Sequence, residues 1–132
     1  MDMFQQQAWN DVLAVKRILI VEDDPILGNL LLEALQEETT YQGHLAPSGE
    51  MALKMLLTIT PELFLLDYHL PGMNGLELAD QLQRREEGDQ RPILLMSADL
   101  PQENDALDHL ITLQKPFDLE MLLQLIAELL AS

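Results

Sequence analysis

The sequence predicts an α/β domain built on a doubly wound, five-stranded parallel sheet. Three observations carry this. Short apolar runs alternate with longer segments of helical period. Three of the runs are apolar on both faces, which suits central strands covered by helices on each side. Polar, chemically useful residues stand where the runs stop. The 132 residues match one ordinary domain, long enough to bury a core without crosslinks.

The runs are Arg17 to Glu22 (RILIVE), Tyr41 to Ala46 (YQGHLA, the weakest), Glu62 to Asp67 (ELFLLD), Pro92 to Ser97 (PILLMS) and Leu110 to Gln114 (LITLQ). Between the first two, Pro25 to Glu38 carries Ile26, Leu27, Leu30, Leu31 and Ala34 on one stripe. Asp24 is its N-cap and Pro25 its first helical residue. Ser48 caps a second helix holding Met51, Ala52, Met55 and Leu56, and Leu76 to Arg85 follows Gly75 with Leu78, Ala79 and Leu82 inward. The last helix, Leu119 to Leu130, places Leu122, Leu123, Ile126, Leu129 and Leu130 at helical spacing. Right-handed crossovers then put every strand's C-terminal end on one edge of the sheet, where chemistry is sought.

Residues 1–15 form a polar leader and residues 16–131 the domain, with no repeat beyond the β/α alternation. The leader reads as a frayed end, the alternative being a short helix with Phe4, Trp9, Val12 and Leu13 on one side. With no cysteine, disulfide frameworks and zinc-thiolate sites are excluded. A formal charge of −16, from 23 acids against 7 bases, argues against nucleic acid, whose phosphates are held by clustered Lys and Arg. No window suggests a membrane span or a signal peptide, so a soluble cytoplasmic protein is expected.

The strand ends carry Glu22, Asp23 and Asp24 after the first, Asp67 after the third, Ser97 after the fourth, and Lys115 with Pro116 after the fifth. If these loops converge, Glu22, Asp23 and Asp67 set three carboxylates beside one ammonium, and a single divalent cation neutralises the surplus. Without a cation, adjacent carboxylates repel and at least one has a raised pKa. All-oxygen ligation favours a hard ion, and Mg²⁺, held by few carboxylates and several waters, fits better than Ca²⁺. Asp is a covalent nucleophile toward phosphorus, and phosphoryl transfer needs charge neutralisation and positioning more than acid-base chemistry. Asp67 would attack, Lys115 would pair with a phosphoryl oxygen, and Ser97 would donate a hydrogen bond.

Each element alone also has a plainer reading. Glu22 to Asp24 by itself is better read as a helix N-cap region than as a metal site. Ser97 is an ordinary loop residue, and Lys115 is a solvated loop lysine. The methionines at positions 51, 55, 73, 96 and 121 are packing residues. Asp67 is harder to dismiss, because an unpaired charge at the end of ELFLLD is expensive.

These residues resemble the receiver domain of bacterial two-component response regulators, over about Lys16 to Leu130. RILIVEDDP resembles its first strand and acidic loop, and APSGEMALKML its second helix entry. LFLLDYHLPGMNGLEL, the most specific stretch, resembles the phosphoacceptor strand and loop; PILLMSA and LQKPF resemble the fourth and fifth strands. The resemblance implies a flavodoxin-like, receiver-like fold. It makes Asp67 the phosphorylated residue, Asp23 the direct Mg²⁺ ligand, Glu22 a ligand through water, and His69 a ligand through its backbone carbonyl. Asp24 is then a bystander. Ser97 matches the switch hydroxyl, Ala98 the small residue beside the phosphoryl group, and Lys115 the lysine of the motif, with a cis bond before Pro116. His69 and Asp99 occupy positions that tune the lifetime of the phosphoryl group.

Two departures stand out. The family's switch aromatic, three residues before the lysine, is Thr112 here. The stretch between Ser97 and Lys115 is about one helical turn short, so a shortened fourth helix is expected. The implied function is a phosphorylation-dependent switch receiving its phosphoryl group from a sensor histidine kinase or a histidine phosphotransfer protein. It is a phosphoacceptor, not a turnover enzyme, and the family's output surface also allows a homodimer. The competing readings are a receiver-like binding module that no longer depends on phosphorylation and an aspartyl-phosphate phosphatase. Against the phosphatase, His69 stands where such enzymes place a second Asp.

Overall fold

Strands buried on both faces need apolar side chains in consecutive positions, and three segments supply them. In the computed structural model, which describes residues 15–85, 91–99 and 110–131, β1 (Arg17–Val21), β3 (Leu63–Asp67) and β4 (Ile93–Ser97) are buried along almost their whole length. The partly exposed edges are β2 (Gln42–Ala46) and β5 (Ile111–Gln114). All pairs are parallel and the order is β2-β1-β3-β4-β5. The winding therefore reverses between β1 and β3, and the loops after these two strands flank the crevice where such sheets bind ligands.

The described helices are α1 (Pro25–Glu38), α2 (Gly49–Met55), α3 (Gly75–Arg85) and α4 (Leu119–Leu130). Their starts follow from short polar side chains. Asp24, Ser48 and Asp118 accept from the backbone N–H of Ile26, Met51 and Glu120, at 3.0, 3.1 and 2.8 Å. Each such cap is worth about 1 kcal/mol.

Because strand side chains alternate, the two faces carry separate cores. Leu19, Val21, Phe64, Leu66 and Leu95 pack with Ala52 of α2 and with Leu78, Ala79 and Leu82 of α3. Ile18, Ile20, Leu63, Leu65, Leu94 and Met96 pack with Leu31 and Leu35 of α1 and with Leu122 and Ile126 of α4.

Each strand is one residue shorter than the apolar run that predicts it, and the trimmed residues still bond to neighbouring strands in places. Glu62, for instance, turns its carboxylate to accept from the backbone N–H of Arg17, and the Pro92 carbonyl accepts from Phe64. The leader ahead of Val15 falls outside the described residues. So does the stretch 100–109, where the shortened fourth helix is expected. No described helix is long and apolar enough to cross a membrane.

Candidate phosphoryl and metal site

Three rows of side chains on the α1/α4 face of the sheet end in charged residues. Ile18 and Ile20 lead to Glu22, Leu63 and Leu65 to Asp67, and Ile111 and Leu113 to Lys115, each at a step of two. The alternation that fills the core thus also delivers these groups to one spot. Lys115 Nζ lies 3.3 Å from Asp67 Oδ1 and 3.5 Å from Glu22 Oε1. Glu22 and Asp67 are only 2% and 5% exposed, whereas Asp23 is open to solvent. Carboxylate oxygens of Glu22, Asp23 and Asp67 all come within 4.8 Å of one another.

The electrostatics follow from this crowding. Burial pushes the Glu22 carboxyl from an ordinary 4.5 up to about 7, and the neighbouring Asp67 adds to the rise. The Asp24 backbone N–H, 3.2 Å from Glu22 Oε2, and the Lys115 ammonium pull the other way. A single ammonium leaves three carboxylates undercompensated, and a hard cation on an all-oxygen donor set removes the mismatch. The residues present therefore fit a divalent ion of the Mg²⁺ kind.

The loop after β3 is shaped by two glycines. Gly75 opens α3 so close to the acceptor strand that a Cβ there would sit 2.3 Å from the Asp67 carbonyl oxygen. Gly72 adopts a φ of +72°, a turn conformation that favours glycine. The Tyr68 carbonyl accepts from both Leu70 and Gly75, and the Met73 N–H reaches Glu50 Oε1 at 3.4 Å. His69 is exposed, and its backbone N–H donates to Asp67 Oδ1 at 3.3 Å. The roles of Gly75 and Glu50 were not legible beforehand. Gly75 stood in the sequence only as the residue ahead of a helix, and nothing in sequence spacing shows backbone pressed on backbone.

Ser97 is fully buried, and its Oγ accepts from the Asp99 backbone N–H at 3.0 Å. Ala98 is exposed beside it, and the Lys115 N–H donates to the Ser97 carbonyl at 2.9 Å, tying the fourth and fifth strand ends together. The Lys115–Pro116 bond is cis. Thr112 lies opposite Leu95 and is exposed, so it joins neither the acidic cluster nor the core. The Asp24 side chain caps α1, while its backbone N–H faces Glu22.

The model of the response regulator receiver domain family matches residues 18–127. This chain belongs to that family. The receiver is 34% identical over 109 residues to sporulation initiation phosphotransferase F of Bacillus subtilis, covering 80% of this chain and 86% of that protein. It is 36% identical over 104 residues to the transcriptional regulatory protein AfsQ1 of Streptomyces coelicolor, covering 76% of this chain but only 41% of that longer relative. Among solved structures it superposes with a TM-score of 0.78 on response regulator protein TrrA of Thermotoga maritima, in complex with Mg²⁺ and BeF, at 32% identity over 88% of this chain and 100% of that one. TrrA in complex with the histidine kinase ThkA superposes with a TM-score of 0.77 at 31% identity, over 88% of this chain and 99% of that one.

Proposed function

We propose that this receiver accepts a phosphoryl group on Asp67 and serves as a phosphorylation-dependent switch in two-component signalling. The observation that carries the reading is the buried Asp67 carboxylate held by Lys115 beside Glu22 and Asp23. Asp67 Oδ1 is engaged by Lys115 and by the His69 N–H, so attack falls to Oδ2. A bond forms from Oδ2 to phosphorus as the bond to the donor breaks, and the electron pair leaves on the donor nitrogen, an imidazole if the donor is a phosphohistidine. Lys115 then pairs with a phosphoryl oxygen, and Ser97 exchanges its contact with the Asp99 N–H for a hydrogen bond to another. Ala98 leaves room for the group.

Glu22, Asp23, Asp67 and the His69 carbonyl would hold Mg²⁺. When bound, the ion neutralises the negative charge that carboxylate and phosphoryl group bring together. The relative solved with Mg²⁺ and BeF supports this choice of ion, and the kinase-bound one supports a histidine kinase or phosphotransfer protein as donor. Such a domain promotes its own phosphorylation and dephosphorylation and is not a turnover enzyme.

Intact mass after incubation with a small phosphodonor and Mg²⁺ tests the reading. The wild type should gain one phosphoryl group, and neither Asp67→Asn nor a chelator-treated sample should do so. No gain in the wild type sinks it. The exposed Thr112 favours one second reading, a binding module indifferent to the mark; partner binding unaltered in Asp67→Asn would then be found.

A further inference from the structure

The loop between Asp67 and Gly75 is shaped in part by α2, a helix that supplies no side chain to the acidic cluster. Its base is tied to the sheet and to itself. The Tyr68 N–H donates to the Met96 carbonyl at 2.8 Å, and the Gly75 N–H returns to the Tyr68 carbonyl at 2.9 Å. Leu70 is buried in the core on the α2/α3 face. Between these fixed points stands His69. Its N–H donates to Asp67 Oδ1 at 3.3 Å, and its carbonyl is the group assigned above to the ion.

The outer half of the loop is met by the first two residues of α2. Glu50 Oε1 accepts from the Met73 N–H at 3.4 Å, and a Cβ added at Gly72 would stand 3.2 Å from the same oxygen. Glycine at 72 thus permits the φ of +72° and also leaves room for the carboxylate. One residue earlier on the helix, a Cβ at Gly49 would stand 3.2 Å from Met73 Sδ, which accepts from Gln81 Nε2 of α3 at 3.7 Å. Met73 is therefore held by its backbone on Glu50 and by its side chain between Gly49 and Gln81. An acid in the first turn of a helix ordinarily serves the helix dipole. Here Ser48 already caps α2 through the Met51 N–H, and the Glu50 carboxylate leaves its own helix for a segment 23 residues away. Among the described residues it forms no ion pair that would otherwise explain its direction.

We propose that Glu50 is a positioning residue for the acceptor loop: its carboxylate holds Met73, and through Met73 keeps the His69 backbone in place for Asp67 and for Mg²⁺. It touches neither the phosphoryl group nor the ion. Partners one step removed from a metal orient the groups that hold it, and losing one weakens binding. The proposal rests on the reading of the acidic cluster as a Mg²⁺ site.

Mg²⁺ titration calorimetry of the unphosphorylated full chain tests it, with Glu50→Ala and Glu50→Gln beside the wild type. Glu50→Ala removes the acceptor, whereas Glu50→Gln removes the charge but keeps a carbonyl oxygen for the Met73 N–H. Glu50 is exposed, so neither variant threatens the fold. Glu50→Ala should weaken Mg²⁺ binding about tenfold, the low end for such partners, and Glu50→Gln should recover most of that loss. Hydrogen exchange at the Met73 amide gives a readout independent of the metal. It should quicken in Glu50→Ala and stay slow in Glu50→Gln. Unchanged Mg²⁺ affinity in Glu50→Ala overturns the proposal, and so does unaltered exchange at Met73. Equal weakening in both variants also overturns it, by making Glu50 a distant charge that merely attracts the cation. A wild type that binds no Mg²⁺ sinks the metal reading itself and the proposal with it.

Discussion

The third and fifth strands end side by side in function but are built in opposite ways. β3 is buried at every position and terminates in Asp67, so the acceptor is fastened to one of the two fully buried strands of the sheet. β5 alternates half-buried and exposed residues, is one residue shorter, and contributes Lys115 just beyond its end from the sheet edge. The difference teaches where precision is needed. A nucleophile that must stay in place sits on a strand with helices on both faces, whereas the counter-ion on its flexible stem tolerates a looser support.

The largest break in that comparison comes from the middle of β3. Leu65 is essentially inaccessible and packs in the core shared by α1 and α4. Leu65→Ala should cost about 2–5 kcal/mol, through lost burial plus a cavity that this crowded layer cannot close. Denaturant unfolding reads it directly. A cost below about 1 kcal/mol would mean that the strand is not the fixed support inferred here.

Next in size is the acid that shares the site with Asp67. The Glu22 carboxyl titrates near 4.5 when unfolded and near 7 when folded, chiefly through burial, so between these values the folded state holds the proton more tightly. Its contribution is fully present below pH 4.5 and is lost as pH rises through 7, by about 3 kcal/mol at most. Glu22→Gln should flatten this fall in stability between pH 4.5 and 7, and added Mg²⁺ should recover the loss in the wild type only. An identical pH slope in the variant would show that Glu22 is not the group under strain.

Much of this contrast was legible in the letters. ELFLLD and RILIVE showed buried strands ending in acids, because two-sided burial demands unbroken apolar runs and an acid at their end needs a reason. Asp24-Pro25 and Ser48 marked helix starts because capping is local chemistry, and both hold. What could not be read depends on distance through space. Gly75 looked like a mere helix opener, yet it lets α3 approach the Asp67 backbone. That Glu22 is deeply buried while adjacent Asp23 is exposed follows from the parity of β1 and the packing above it, not from the acidic triplet itself.

The smallest effect is expected at Thr112, and its smallness is informative. The family resemblance puts a switch aromatic at this position, and a ring that swings inward would leave a mark on packing when removed. Thr112 instead faces solvent opposite Leu95, and its hydroxyl bonds to none of the described residues. Thr112→Ala should therefore change stability by no more than about 0.5 kcal/mol and leave phosphoryl uptake at Asp67 unaltered. Thermal unfolding and intact-mass kinetics on the same samples measure both. A stability loss approaching that of Leu65→Ala would place β5 within the rigid support, and slowed uptake would make Thr112 part of the acceptor apparatus. If neither changes, the site on β1, β3 and β4 with Lys115 is sufficient for the mark. A relay to a partner would then start among the described contacts that the phosphoryl group changes, at Ser97 with Asp99 and at Lys115 with Asp67.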